Sequence, residues 1–274
     1  MRVAEAVRAA AQRLSDTSDT ARLDAELLMA HALGVARSDL LLRHMDADVP
    51  AVFAELVERR AVREPMAHIL GRQEFYGRTF RVTPDVLIPR GDSESVVEAA
   101  LEVAPQARRV LDCGTGSGAL LVTCLLELGV ATGIGVDASE AALAVAQDNA
   151  QTLGLTGARA RFLLRDWTEP DWAHDLGRFD LIIANPPYVE DAAELDPDVR
   201  DFEPADALFA GPEGLDDYRV LIPQLRALLS DGGIAVLEIG AEQAIAVGQI
   251  AEAAGFRSEL RRDLGGRART LILQ

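Results

Sequence analysis

From residue 105 onward, short apolar runs rich in β-branched residues alternate with helical patterns, and this alternation limits the possible folds more than any single motif. Strands are predicted at 109–113, 133–136, 160–164, 179–184 and 234–239, and helices at 119–128, 139–153, 216–229 and 242–254. Strands that are apolar on both sides need cover on both faces, which a parallel sheet flanked by helices provides. Two further strands, 257–261 and 269–273, are separated by Asp263-Leu264-Gly265-Gly266. So short a connection makes an antiparallel hairpin, because parallel strands need a long crossover. The expected class is α/β: a doubly wound, Rossmann-like sheet ending in an antiparallel hairpin.

The chain before residue 73 has a different period. Val3, Ala6, Val7, Ala10 and Leu14 follow the three/four spacing of an amphipathic helix, as do Leu23, Leu27 and Leu28. With a third piece at 49–62, residues 1–72 are expected to form a small helical bundle. Residues 73–90 are expected to be a β-hairpin linker turning at Pro84-Asp85, and residues 91–274 the α/β domain.

Composition narrows the function. Lys and Arg total 27 against 44 Asp and Glu, a formal charge of −17. So acidic a surface repels phosphate backbones and argues against stable nucleic-acid binding. The short basic stretches at 59–63 and 257–269 read as solvated faces. Two cysteines and four scattered histidines have no metal-ligand spacing, so no metal is expected. The N-terminus reads as an acid-bearing amphipathic helix rather than a signal peptide, and no apolar run approaches a membrane span. The expectation is a soluble, cytoplasmic protein.

The segment Val110-Leu111-Asp112-Cys113-Gly114-Thr115-Gly116-Ser117-Gly118 is a strand, a glycine loop and a helix start. Glycines at 114, 116 and 118 allow a sharp turn and close approach of a ligand to the backbone and to the helix N-terminus. Asp137, ending the next strand, is placed to accept hydrogen bonds from ribose hydroxyls. The loop also fits the dinucleotide fingerprint, so nicotinamide or flavin binding stays open at this point. Two features favour S-adenosylmethionine. Asp112 suits an ammonium group and would repel a pyrophosphate, and Asp166-Trp167 offers a carboxylate and an aromatic face to an adenine. Cys113 reads as a small buried filler rather than a nucleophile.

Asn185-Pro186-Pro187-Tyr188 directly follows the apolar run Leu181-Ile182-Ile183-Ala184. The Asn185 side-chain oxygen and the Pro186 carbonyl offer two acceptors to the two hydrogens of a planar NH2 group. Pro187 holds Pro186 extended, so its carbonyl direction is fixed. Tyr188 is expected to supply a flat stacking face. This chemistry suits alkylation of an amide or aryl-amine nitrogen, which makes Asn185 and Pro186 the catalytic candidates.

Together with Glu64-Pro65-Met66-Ala67-His68-Ile69-Leu70-Gly71, Glu74-Phe75-Tyr76-Gly77, Leu87-Ile88-Pro89-Arg90 and Val199-Arg200-Asp201-Phe202-Glu203-Pro204, these motifs resemble the peptide chain release factor glutamine methyltransferases, the HemK-like family. The resemblance implies a class I methyltransferase fold behind a helical bundle that recognises class I release factors. It also implies methyl transfer from S-adenosyl-L-methionine, leaving S-adenosyl-L-homocysteine, to the glutamine amide of a Gly-Gly-Gln loop. Cofactor contacts carry over to Gly114, Thr115, Gly116, Ser117, Gly118, Asp137 and Trp167, joined here by Asp166 and Asn185. The substrate clamp carries over to Asn185, Pro186, Pro187 and Tyr188. Where the family has Pro-Arg-Pro, this chain has Pro89-Arg90-Gly91. That leaves Arg90 two readings, a contact with the cofactor carboxylate or a pair with Glu203, and leaves the role of Glu94 open. Rival readings are an adenine-N6 methyltransferase acting on nucleic acid, a non-catalytic adaptor, and a nicotinamide-dependent oxidoreductase.

Overall fold

The computed structural model describes residues 1–263 and 265–274. It divides into two compact units, Met1–Arg72 with Leu195–Phe202, and Gln73–Glu194 with Glu203–Gln274.

The first unit is helical: α1 (Val3–Leu14), α2 (Ala21–Leu33), α3 (Arg37–Asp39) running into a π-helical turn at Leu40–His44, α4 (Phe53–Ala61) and α5 (Met66–Leu70). The spaced set Val3, Ala6, Val7, Ala10 and Leu14 is buried against Leu28, Met29, Phe53 and Leu56. Gly34 ends α2 in the left-handed conformation that closes many helices. Arg60 is buried, its Nε donating to Asp24 Oδ2 at 2.8 Å and its Nη1 to Asp198 Oδ2 at 2.7 Å. Asp198 lies in the segment Leu195–Phe202, which therefore groups with the helices and not with the rest of residues 91–274. Its partner is 138 positions away, beyond the reach of any local pattern.

A hairpin of β1 (Arg72–Phe75) and β2 (Arg78–Arg81) follows, and from Gln73 onward it belongs to the second unit. Its turn residues Tyr76 and Gly77 have φ of 50° and 68°, the paired positive values of a type I′ turn. The hairpin therefore sits upstream of the Pro84-Asp85 turn expected from sequence. Residues 86–88 form no strand, because the Ile88 N–H donates to Glu203 Oε2 at 2.9 Å and Pro84 and Pro89 have no N–H to give.

A 3₁₀ turn, Gly91–Ser93, then leads into α6 (Glu94–Val103), β3 (Arg109–Cys113), α7 (Ala119–Leu128), β4 (Thr132–Asp137), α8 (Glu140–Thr152), β5 (Ala160–Leu164) and β6 (Phe179–Ala184). The short helix α9 (Pro197–Arg200) belongs to the first unit, and α10 (Asp216–Leu228), β7 (Leu229–Glu238), α11 (Ala244–Ala253), β8 (Ser258–Arg262) and β9 (Ala268–Leu273) complete the second. The sheet order is β5-β4-β3-β6-β7-β9-β8, parallel as far as β7, with β9 antiparallel to both of its neighbours. The β8–β9 connection passes through residue 264, which lies outside the described residues. Leu111, Ile182 and Leu237 face a core shared with α10 and α11, while Val110, Leu181 and Val236 face one shared with α6 and α7. β3 pairs with β4 on one side and β6 on the other. The chain thus reverses its strand order at β3, where open α/β sheets present a crevice at the carboxyl ends of their strands. No helix among the described residues is long and apolar enough to cross a membrane.

Candidate active site

A cleft of about 600 Å³ opens at that reversal point. One wall is the loop after β3. Gly114, Gly116 and Gly118 have φ of 74°, 52° and 80°, values that side chains other than glycine rarely adopt. The Gly114 and Thr115 N–H groups both donate to the Val136 carbonyl at 2.9 Å, which stitches the loop to β4. A Cβ on Gly114 would lie 3.1 Å from Trp167 Cη2, whereas one on Gly116 would meet no atom within 4 Å. Gly116 therefore faces open cleft. Gly114, Thr115, Gly116 and Ser117 line the cleft, but Gly118 does not. Gly118 instead precedes α7 and packs on α8, where an added Cβ would come 3.1 Å from that of Ala146.

Asp137 lines the cleft with both carboxylate oxygens engaged. Oδ2 accepts from Gly116 N at 2.8 Å and Oδ1 from Ser139 N at 2.9 Å. Burial raises its pKa, and the backbone donors of Ser139, Gly116 and Ala138 oppose the rise. Asp166 and Trp167 also line the cleft. Asp166 Oδ1 closes a local turn on the Thr168 N–H and hydroxyl, at 2.8 and 2.7 Å. Trp167 is held at two points: its ring Nε1 donates to Asp217 Oδ1 at 3.1 Å, and its backbone carbonyl accepts from Gln224 Nε2 at 3.0 Å.

Asp112 takes a different place from the one expected. It does not line the cleft but is fully buried behind the loop, Oδ2 accepting from the Thr115 hydroxyl at 2.7 Å. Its Oδ1 has no hydrogen-bond partner among the described residues. Burial, with Asp137 nearby, pushes its pKa up to about 7 against the pull of Thr115. Arg90 lines the cleft and pairs with buried Glu203, so of its two readings the ion pair forms. Glu94 accepts the Tyr76 N–H at 2.7 Å and so ties α6 to the hairpin turn.

Asn185 and Pro187 lie on the opposing wall, at the end of β6. Asn185 Oδ1 is buried and has no hydrogen-bond partner among the described residues. An unpartnered buried acceptor costs about 1–3 kcal/mol unless a ligand fills it. Pro186 is buried and Tyr188 half-buried, and neither side chain lines the cleft. The Tyr188 hydroxyl faces Glu238 Oε1 at 3.4 Å and Arg269 Nη1 at 3.5 Å, so no flat stacking face is presented to this cleft.

Parts of the wall that sequence patterns missed include Asp217, Asp206, Ser93 and the stretch 84–87. Asp217 stands in the first turn of α10, where an acid reads as a partner of the helix dipole. Residues 84–87 read as linker. The lining carries five aspartates (85, 137, 166, 206 and 217) against one cation, Arg90, already neutralised by Glu203. A cleft of that sign favours a cationic ligand and disfavours a pyrophosphate.

Comparison with known proteins agrees with this layout. Residues 5–71 match a family described as the PrmC N-terminal domain, and residues 105–253 match one described as a methyltransferase domain. A release factor glutamine methyltransferase from Cereibacter sphaeroides is 44% identical over 98% of this chain and 97% of its own. One from Caulobacter vibrioides is 41% identical over 90% of this chain and 87% of its own. Among solved structures, a methyltransferase from Pyrococcus furiosus shares the fold, with a TM-score of 0.53 at 15% identity over 73% of this chain and 89% of that one. The chain belongs to the release factor glutamine methyltransferase family.

Proposed function

We propose that the protein transfers a methyl group from S-adenosyl-L-methionine to the side-chain amide nitrogen of the glutamine in the Gly-Gly-Gln loop of class I release factors. The observation that carries this reading is Asn185 Oδ1, a buried acceptor without a partner at the wall of an acidic cleft. The names and coverage of the relatives support the substrate.

The residues present fit the methyl donor. Gly116 leaves open space where a Cβ would stand, Asp137 keeps a carboxylate at the cleft, and the lining aspartates complement a sulfonium and an ammonium. Gly114, Thr115, Gly116, Ser117, Asp137, Asp166 and Trp167 would hold it, with Gly118 shaping the loop from behind. When bound, the donor supplies an electrophilic methyl group on a positively charged sulfur.

The protein's contribution is geometric and electrostatic. A carboxamide nitrogen is a poor nucleophile because resonance draws its lone pair onto the carbonyl. Asn185 Oδ1 and the Pro186 carbonyl accept its two N–H bonds and so fix the direction of that lone pair. Pro187 has no N–H and holds the Pro186 carbonyl in place. Alignment of this kind supplies much of the rate of an in-line displacement. As the new bond forms, positive charge grows on nitrogen, and the two acceptors stabilise it more than they stabilise the ground state. No strong base is required before attack, since the nitrogen becomes acidic only after gaining the methyl group. The helical unit is proposed to recognise the release factor, and a release-factor substrate places the reaction in the cytoplasm.

The test is incubation of the enzyme with labelled S-adenosylmethionine and purified release factor, as wild type and as a Gln→Ala variant of its Gly-Gly-Gln loop. Label on the wild-type factor alone supports the reading. Equal label on both, or label on nucleic acid, contradicts it.

A further inference from the structure

Beside the Asn185 wall lies a buried polar cluster that the reaction as described does not use. Glu238, the last residue of β7, is 1% exposed. β6 and β7 are parallel neighbours with Ala184 opposite Leu237, so Asn185 and Glu238 come next along the same end of adjacent strands. Glu238 Oε1 lies 3.4 Å from the Tyr188 hydroxyl, and Oε2 has no hydrogen-bond partner among the described residues. Arg269, on β9, lies behind Tyr188. Its Nη1 is 3.5 Å from the same hydroxyl, its Nη2 donates to Asp92 Oδ2 at 2.8 Å, and its Nε is 3.9 Å from Asp263 Oδ2. From α10, the Tyr218 hydroxyl donates to the Glu238 backbone carbonyl at 2.8 Å. Ser93, on the cleft wall, and Asp92 complete the charged and polar surroundings of the carboxyl.

The far end of the tetrapeptide is therefore gripped twice. The Tyr188 carbonyl accepts from Gln243 Nε2 at 3.0 Å, which fixes the main chain. The hydroxyl sits between an acid and a guanidinium, which fixes the side chain. The hydroxyl can donate to the carboxylate and accept from Arg269 at once, and at 3.4 and 3.5 Å both contacts draw on the partner's charge rather than on a short hydrogen bond. A neutral Glu238 carboxyl weakens the first and leaves Arg269 without that neighbouring charge. An apolar residue at 238 would avoid the cost of burying a carboxyl with one oxygen unpartnered. Burial, with Asp92 nearby, pushes the Glu238 pKa up to about 7, and Ser93, Arg269 and Tyr188 oppose the rise.

We propose that Glu238 and Arg269 are positioning residues that hold the tetrapeptide in its working geometry through the Tyr188 hydroxyl, and that they hold it most firmly while Glu238 is ionised. The inference deepens the proposed methyl transfer and rests on it. Neither residue lines the cleft, so their effect falls on turnover and not on cofactor affinity.

The test measures methylation of release factor as a function of pH. For the wild type, kcat should rise about fivefold from pH 6 to pH 8, since a neutral form about tenfold slower still contributes turnover at pH 6. Glu238→Gln and Tyr188→Phe should each lower kcat about tenfold at pH 8 and flatten that rise, with cofactor affinity within about twofold of wild type. A Glu238→Gln enzyme that keeps the wild-type kcat and pH profile would overturn the proposal. Should Glu238→Gln fail to fold, Tyr188→Phe keeps the carboxyl and most of the packing, and wild-type turnover in that variant overturns the proposal equally. A second arm needs neither cofactor nor substrate: carbon NMR titration of the Glu238 carboxyl. Removal of the Tyr188 hydroxyl should move that titration to higher pH, and an unmoved titration contradicts the inference. If the wild type transfers no methyl group to release factor at any pH, the proposed function fails, and the NMR arm decides the Glu238–Tyr188 linkage alone.

Discussion

Asp137 and Asn185 stand at the same end of one sheet, on opposite walls of one cleft, and differ in what their oxygens already hold. Both Asp137 oxygens accept backbone N–H groups supplied by their own neighbourhood, Gly116 and Ser139. Asn185 Oδ1 accepts nothing among the described residues. A wall that is already satisfied holds its shape without ligand and offers its remaining lone pairs at little cost. A wall with an unmet acceptor carries an energetic deficit that a matching NH2 group removes. The first arrangement suits a donor molecule bound in every turnover. The second suits the group on which the chemistry is done.

The largest expected effect breaks the comparison on the unsatisfied side. Asn185→Ala should lower kcat on the order of 10²-fold or more, the scale of a lost transition-state hydrogen bond. Its melting temperature should hold or rise, because the substitution removes an acceptor with no partner. A drop in stability matching the drop in turnover would show that the side chain serves the fold instead.

A stability effect of comparable size is expected at Glu238. Its pKa in the folded protein, about 7, lies above the ordinary carboxylate value of 4.5, so the folded chain keeps a proton that the unfolded chain has released. That stabilisation is complete below about pH 4.5 and is lost as pH rises through about 7. Glu238→Gln should therefore be more stable than wild type at pH 8, by on the order of 3 kcal/mol, and nearly equal to it at pH 4.5. Denaturant melts at the two pH values measure the difference. Equal gaps at both would remove the titration argument.

On the satisfied wall the effect should be smaller and of another kind. Asp137→Ala should weaken binding of S-adenosylhomocysteine about tenfold, the scale of one hydrogen bond to a charged group. Calorimetry reporting unchanged affinity would count against that residue. The smallest effect belongs to an acid outside both walls. Asp148 accepts from Arg81 Nη1 at 2.6 Å, with both side chains more than half exposed. Asp148→Asn should change stability by less than about 1 kcal/mol and leave turnover alone.

The strands and helices of the sheet were legible because hydrophobic period is local, and residues 109–113, 119–128, 160–164 and 179–184 begin and end where the pattern places them. The glycine loop was legible because turns without a Cβ leave few other readings. The misplaced parts depend on distant partners. The hairpin turns at Tyr76-Gly77, where a non-glycine residue accepts a positive φ and Glu94, 18 positions on, accepts its N–H. Asp112 resembles a cleft residue in sequence, yet Thr115 turns it inward. Tyr188 looks like a stacking platform until Glu238 and Arg269, 50 and 81 positions away, take its hydroxyl. Asp217 became part of the site only because the Trp167 ring reaches it across 50 positions. None of these pairings leaves a periodic trace.

The most direct measurement is a crystal structure of the enzyme with S-adenosylhomocysteine and a peptide carrying the Gly-Gly-Gln loop. The account predicts the glutamine amide nitrogen at hydrogen-bond distance, about 3 Å, from both Asn185 Oδ1 and the Pro186 carbonyl. An amide seated elsewhere, with Asn185 Oδ1 still unpartnered, would contradict it.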